Sequence, residues 1–162
     1  MTKFEHLDKN RQQEQEERFF KIVNSMSDKN FIYTPDIMLL YDGYACQPDG
    51  LNADLSCALE IKSLTQKNYQ LLVSGNTLPH RFKRVLYKYF RANPYLELLD
   101  FFFINREKET EYQFIEYQRP SVYNFEIKRA HNDESKIKGN YRVVNLMKLS
   151  REEAASVILE NN

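Results

Sequence analysis

Apolar and polar positions change period several times along the chain, and each change marks an element. Residues 8–26, DKNRQQEQEERFFKIVNSM, carry Phe19, Phe20, Val23 and Met26 on one side at helical spacing, which predicts an amphipathic helix. Glu16 precedes Phe19, Phe20 and Val23 by three, four and seven residues, so it falls on or beside that apolar face. Glu14 points elsewhere and Glu17 lies toward the edge. FIYTPDIMLLY (31–41) is rich in aromatic and branched residues and predicts a strand, with Pro35 at an edge position or a bend. Asp42-Gly43 is a hairpin signal, YACQ a short second strand, PDGLNAD a turn-rich connection and SCALEIKSL (56–64) a third strand. Residues 65–78 are ambiguous, with Gly75-Asn76 marking a loop.

The second half continues the alternation. PHRFKRVLYKYFRAN (79–93) predicts a helix with Pro at its start and Asn-Pro at its end. Phe82, Val85, Leu86, Tyr89 and Phe90 form its apolar side; His80, Arg81, Lys83, Arg84, Lys88 and Arg91 form its basic side. LLDFFFIN (98–105) reads as a buried strand, YQFIEYQ (112–118) and VYNFEIKR (122–129) as further strands, AHNDESKIKGN (130–140) as a polar loop and YRVVNLMKL as a last strand. SREEAASVILEN is a terminal helix with Ser150 as N-cap and Glu153 completing a capping box. Helix, strands, helix, strands, helix predicts an α/β or α+β fold with a mixed central sheet.

Composition narrows this little. The 162 residues suit one domain, 1–162, with a core of ordinary size. Lys plus Arg equals Asp plus Glu at 23 each, so no global positive field draws the chain onto nucleic acid, and such binding needs a local patch. Cys46 and Cys57 show no CxxC spacing; a disulfide across a hairpin is one reading, and free buried thiols, favoured because nothing else suggests export, are the other. The N-terminus has no apolar signal core, and no segment approaches the roughly 18 apolar residues of a membrane helix; the expectation is a cytoplasmic protein. His6, His80 and His131 are scattered without ligand spacing and read as surface residues.

The chemistry concentrates in ACQPDGLNADLSCALEIKS (45–63). Strand alternation sends Leu59 and Ile61 to one face and Ala58, Glu60 and Lys62 to the other. Ten residues separate Asp49 from Glu60, a short hairpin's worth, so the two carboxylates can converge beside the ammonium. Phosphodiester hydrolysis uses such a set. Mg²⁺ takes one or two carboxylates from protein and keeps several waters, and a lysine beside it can orient the attacking water. The carbonyl of Ile61 can add a ligand. An E-x-K pair alone is most often solvated and a Pro-Asp-Gly is usually a turn. Their spacing, after a helix with a Glu on its inner edge, is what raises them together.

PD…ExK is the signature of the restriction-endonuclease-like PD-(D/E)xK nucleases. ACQPDGL…LEIKS more closely resembles the active-site segment of phage lambda-type exonucleases and YqaJ-type viral recombination nucleases. The resemblance is specific over 45–63 and extends loosely over 14–105. It implies a restriction-endonuclease-like fold, a mixed central sheet flanked by helices, and a Mg²⁺-dependent deoxyribonuclease, with Mn²⁺ as substitute. By position, Asp49 and Glu60 become metal ligands, Ile61 a carbonyl ligand and Lys62 the assistant to the attacking water, with a Glu from the first helix reaching the site: helical phase favours Glu16, a linear match to the family favours Glu14. Arg81, Arg84 and Lys88 become candidates for phosphate contacts, with Lys136, Lys138, Arg142 and Lys148 a sparser second set. DNA is the implied partner, with a single-strand annealing protein, homo-oligomerisation and a viral source (hence host cytoplasm) as further implications. The chain departs from the pattern in having Gln47 where the family has Ser and no Gln on helix 79–93, with Gln70 as a substitute. A second Pro-Asp, in YTPDIML, resembles a related branch of junction-resolving and transposon end-cleaving nucleases. Asp36 as ligand leaves 23 residues before Glu60, requires a large hairpin insertion, and moves the substrate toward branched DNA as an endonuclease. A non-catalytic nucleic-acid-binding or inhibitor protein on this fold is the remaining alternative, against which the intact Asp-Glu-Lys set speaks.

Overall fold

The computed structural model describes residues 3–75, 79–123, 126–129, 134–137 and 139–160. The first helix, α1 (Lys3–Met26), is followed by β1 (Ile32–Tyr33), β2 (Ile37–Tyr41), β3 (Tyr44–Cys46), β4 (Gly50–Leu51) and β5 (Cys57–Leu64). Then come α2 (Gln66–Gly75), α3 (His80–Ala92), β6 (Leu98–Asn105), β7 (Tyr112–Gln118), a single 3-10 turn at Glu134–Lys136, β8 (Arg142–Asn145) and α4 (Arg151–Glu160). One sheet runs β1-β4-β5-β6-β7 and a smaller one runs β3-β2-β8. Both are mixed: β5 pairs in parallel with β6, and β2 with β8, while the other pairs are antiparallel. A parallel neighbour requires a crossover, and α2 and α3 supply the one from β5 to β6.

The interior strand β6 is buried on both faces, which is why its sequence reads as a continuous apolar run. Phe102 and Ile104 pack under α1 with Phe19, Phe20, Val23 and Leu59. Phe101 and Phe103 face the other way, stacked on each other with centroids 5.2 Å apart, against Phe82 and Phe90 of α3. Asp100, the one charge in this run, is fully buried and is held by Lys29 at 2.5 Å, which also bonds Glu116. This clamp ties the segment after α1 to β6 and β7.

Several sequence expectations hold locally. Asp42 and Gly43 take φ of 50° and 81°, the left-handed pair a tight hairpin needs, and Tyr41 pairs with Tyr44 across it. The Ser150–Glu153 capping box closes with reciprocal bonds of 3.2 and 3.1 Å. Cys46 and Cys57 are free and buried.

Others are corrected. The first helix begins at Lys3, not near residue 8, and Met26, at its last position, is 49% exposed because the face that buries Val23 ends there. The predicted strand 31–41 is broken at Thr34–Asp36 into β1 and β2, which belong to different sheets. The ambiguous stretch after β5 is helical over α2; residues 76–78 lie outside the described residues. Tyr123 and the described 126–129 are not in a strand; Tyr123 turns aside to pack edge-on against Tyr87. The predicted loop 130–140 lies partly outside the described residues, as do His131 and Lys138.

Gly50 was expected to close a turn. It is instead the first residue of β4, pairing with both Tyr33 and Leu59. Its missing side chain makes room for α1: a Cβ there would stand 2.8 Å from the Phe20 ring and 3.2 Å from the Ile32 carbonyl. Gly50→Ala therefore overpacks this contact and should cost about 1–3 kcal/mol, seen as a lower urea midpoint with an unchanged slope; an unchanged midpoint would mean α1 yields without cost.

Candidate active site

The site is built where β4 stops and β5 continues. The turn at Asn52–Ser56 fixes the hairpin: Asn52 Oδ1 accepts the Cys57 amide at 2.9 Å, Asp54 Oδ1 accepts the Ser56 amide at 3.0 Å, and buried Leu55 sits at φ 67° between them. Gly50 then pairs with Leu59, and the Asp49 amide donates to the Leu59 carbonyl at 3.1 Å. Upstream of Asp49 the chain turns away as Pro48, and the ladder ends. The next outward amide of β5, that of Ile61, is taken by the Asp49 carboxylate at 2.7 Å. Amide and carbonyl of one strand residue point to the same edge, so the Ile61 carbonyl also faces this opening.

Glu60 and Lys62 share the β5 face that looks toward α3. Glu60 is 7% exposed, with Lys62 Nζ on one carboxylate oxygen at 2.8 Å and the Tyr89 hydroxyl on the other. The same hydroxyl lies 2.8 Å from the Gln47 carbonyl, bridging α3 to the strand that leads into Asp49. Burial, with the charges of Glu60 and Asp49, holds the Tyr89 phenol well above its ordinary pKa, so it stays a neutral donor. Nothing in the sequence marks Tyr89 apart from the other aromatic residues on the apolar side of α3; the one available signal is a hydroxyl placed where Leu or Phe would suffice.

Half-buried Asp49 carries the strongest electrostatic signature. Burial pushes its carboxyl up to about 7, the Glu60 charge adds to this, the Ile61 amide and Lys62 oppose it, and Glu16 raises it further. Glu16 is half-buried and receives the Tyr33 hydroxyl, whereas Glu14 and Glu17 are exposed. The structure thus brings Asp49, Glu60, Ile61, Lys62 and Glu16 together. Asp36 stands exposed in the link between β1 and β2, where its carbonyl accepts the Arg142 amide at 2.7 Å. The segment between the two Pro-Asp pairs is the insertion an Asp36 ligand would need, and it forms β2 and β3 of the smaller sheet.

Arg81, Arg84 and Lys88 are exposed on α3. Lys88 adjoins the site: burial pushes the Cys46 thiol up, the Lys88 charge opposes this and the Glu60 charge adds to it. Of the sparser basic set, Arg142 donates to the Val157 carbonyl at 3.1 Å, Lys148 pairs with Glu134 at 3.3 Å, and Lys136 ends the 3-10 turn. Gln70 is exposed on α2.

The donor set suits a hard divalent cation. Asp49 resists ionising because it is buried and because the Glu60 charge adds to that burial, and a carbonyl looks into the same opening; added positive charge would favour the ionised carboxylate. Among the described residues, no group of three or more His, Cys, Asp or Glu side chains forms a metal cage. A cation that keeps several waters needs no such cage.

No protein-family model matches the chain, and no curated protein matches it. Among solved structures, an alkaline exonuclease (LHK-Exo) from Laribacter hongkongensis is similar over 90% of this chain and 63% of that one, with TM-score 0.51 and 14% identity. The fold is restriction-endonuclease-like. A mixed sheet is flanked by helices, and this chain spans less than two thirds of the exonuclease chain. Among the described residues no helix is long and apolar enough to cross a membrane.

The raised Asp49 has a consequence for the metal-free protein. Its carboxyl ionises near 3.8 when unfolded and near 7 when folded, so between these values the folded state holds the extra proton. Stability from this group is then full below about pH 4 and lost as pH rises to about 7. Asp49→Asn should flatten that fall, so thermal unfolding of the variant loses less between pH 5 and pH 8 than the wild type does. Parallel pH profiles would show that Asp49 ionises normally in the fold.

Proposed function

We propose that this protein is a Mg²⁺-dependent deoxyribonuclease of the PD-(D/E)xK type, most akin to lambda-type exonucleases. The observation that carries this is the convergence of Asp49, Glu60 and Lys62 at the open edge of β5, on a restriction-endonuclease-like fold. Asp49 and Glu60, with the Ile61 carbonyl, are the residues that would hold the cation. Bound there, it would neutralise phosphate charge and lower the pKa of a coordinated water. Lys62, fixed by Glu60, offers its ammonium to the attacking water and to charge developing on the phosphate. Tyr89 fixes the other Glu60 oxygen without cancelling its charge. Arg81, Arg84 and Lys88 lie on the helix that carries Tyr89, where they can take phosphates of the DNA backbone, so binding should weaken as salt rises.

Incubation with linear, circular and branched DNA tests the reading. The expected result is Mg²⁺-dependent loss of linear DNA from its ends, with circles intact. Cut circles would assign an endonuclease, and no cleavage of any substrate would overturn the nuclease reading in favour of a binding protein. Lys62→Ala should lower the rate by about 10²-fold or more with unchanged circular dichroism. Asp49→Ala should abolish cleavage and Asp36→Ala should spare it; the reverse would transfer the ligand role, and the branched-DNA reading, to Asp36.

A further inference from the structure

Glu16 reaches the site from another element, and its carboxylate is held by a residue with no place in the signature. Tyr33, the second residue of β1, donates its hydroxyl to Glu16 Oε2. The ring itself is fixed: it lies against Phe20 with centroids 5.1 Å apart at 58°, and its backbone pairs with Gly50, next to Asp49. Thr34, which follows, donates its amide to the Asp49 carbonyl at 2.9 Å and its hydroxyl to the Pro48 carbonyl at 3.0 Å. Phe20 is one helical turn after Glu16 on the same face of α1, and its ring occupies the space left by Gly50. The contacts that seat α1 on the hairpin and the contact that aims Glu16 are therefore one cluster.

The chemistry of the donor matters. An Arg or Lys in this place would orient Glu16 but cancel its charge; a phenol donates one hydrogen bond and leaves the anion intact. Tyr89 stands to Glu60 in the same relation. We infer that Tyr33 is a positioning residue, holding the Glu16 carboxylate where its charge adds to those of Asp49 and Glu60 in binding a divalent cation. This rests on the metal-dependent reading above.

Mn²⁺ titrated into the DNA-free protein, followed by calorimetry and by the electron paramagnetic resonance of the free ion, tests it. Tyr33→Phe keeps the ring against Phe20, so its melting temperature should stay near the wild-type value. Its Mn²⁺ affinity should fall about tenfold, the scale of losing a partner that orients a ligand. Glu16→Gln should lose at least as much, and the double variant no more than Glu16→Gln alone. Wild-type affinity in Tyr33→Phe, or a further tenfold loss when it is added to Glu16→Gln, would overturn the inference, because Tyr33 would then not act through Glu16. A wild-type protein that takes up no Mn²⁺ would overturn the metal reading itself, and this inference with it; that outcome is told apart by the first titration.

Discussion

Everything at the site hangs on a side chain that takes over from a strand. The β4 ladder runs out at Asp49, whose amide still reaches the Leu59 carbonyl, and the next amide of β5 is left facing no backbone. The Asp49 carboxylate accepts it. Without that acceptor, this half-buried edge amide would have to find water instead. That single bond satisfies the strand, sets the carboxylate's orientation, and leaves the Ile61 carbonyl looking into the same opening. The strand end and the chemical site are thus the same structural event.

The neighbours of Asp49 are arranged to hold negative charge in place rather than remove it. Lys62 engages one oxygen of Glu60. The second oxygen goes to Tyr89, and Glu16 goes to Tyr33. Neutral donors immobilise the carboxylates, and burial of Asp49, with the Glu60 charge adding to it, is what raises the Asp49 carboxyl. Three elements distant in sequence, α1, the β4–β5 hairpin and α3, each deliver one part of this set. They are bound together by Phe20 on Gly50 and by Tyr89 between Glu60 and Gln47.

The smaller sheet gives the second Pro-Asp its meaning. Between Asp36 and Asp49 the chain leaves the main sheet, forms the tight Asp42-Gly43 hairpin, and pairs β2 in parallel with β8, about a hundred residues on. A strand order that places β1 and β4 side by side then returns the chain to the site. Thr34 and Asp49 are bonded neighbours, while Asp36, two residues later, is already on the exposed link.

Period-two alternation by itself put Glu60 and Lys62 on one face, helical phase singled out Glu16 from Glu14 and Glu17, and local chemistry marked the Asp-Gly hairpin and the Ser150 capping box. These are short-range effects, set by residues within one turn or one pleat of each other. The tertiary structure decided what depends on distant partners. β4 is two residues long, too short to show a period, and its glycine is there for a phenylalanine thirty residues earlier in the chain. The run 31–41 reads as one strand because each half is apolar; only the pairing of one half with β4 and the other with β3 and β8 divides it. Tyr33 and Tyr89 look like any aromatic core residues until the fold places a carboxylate against each hydroxyl, because a hydrogen bond between separate elements leaves no spacing in the sequence to read.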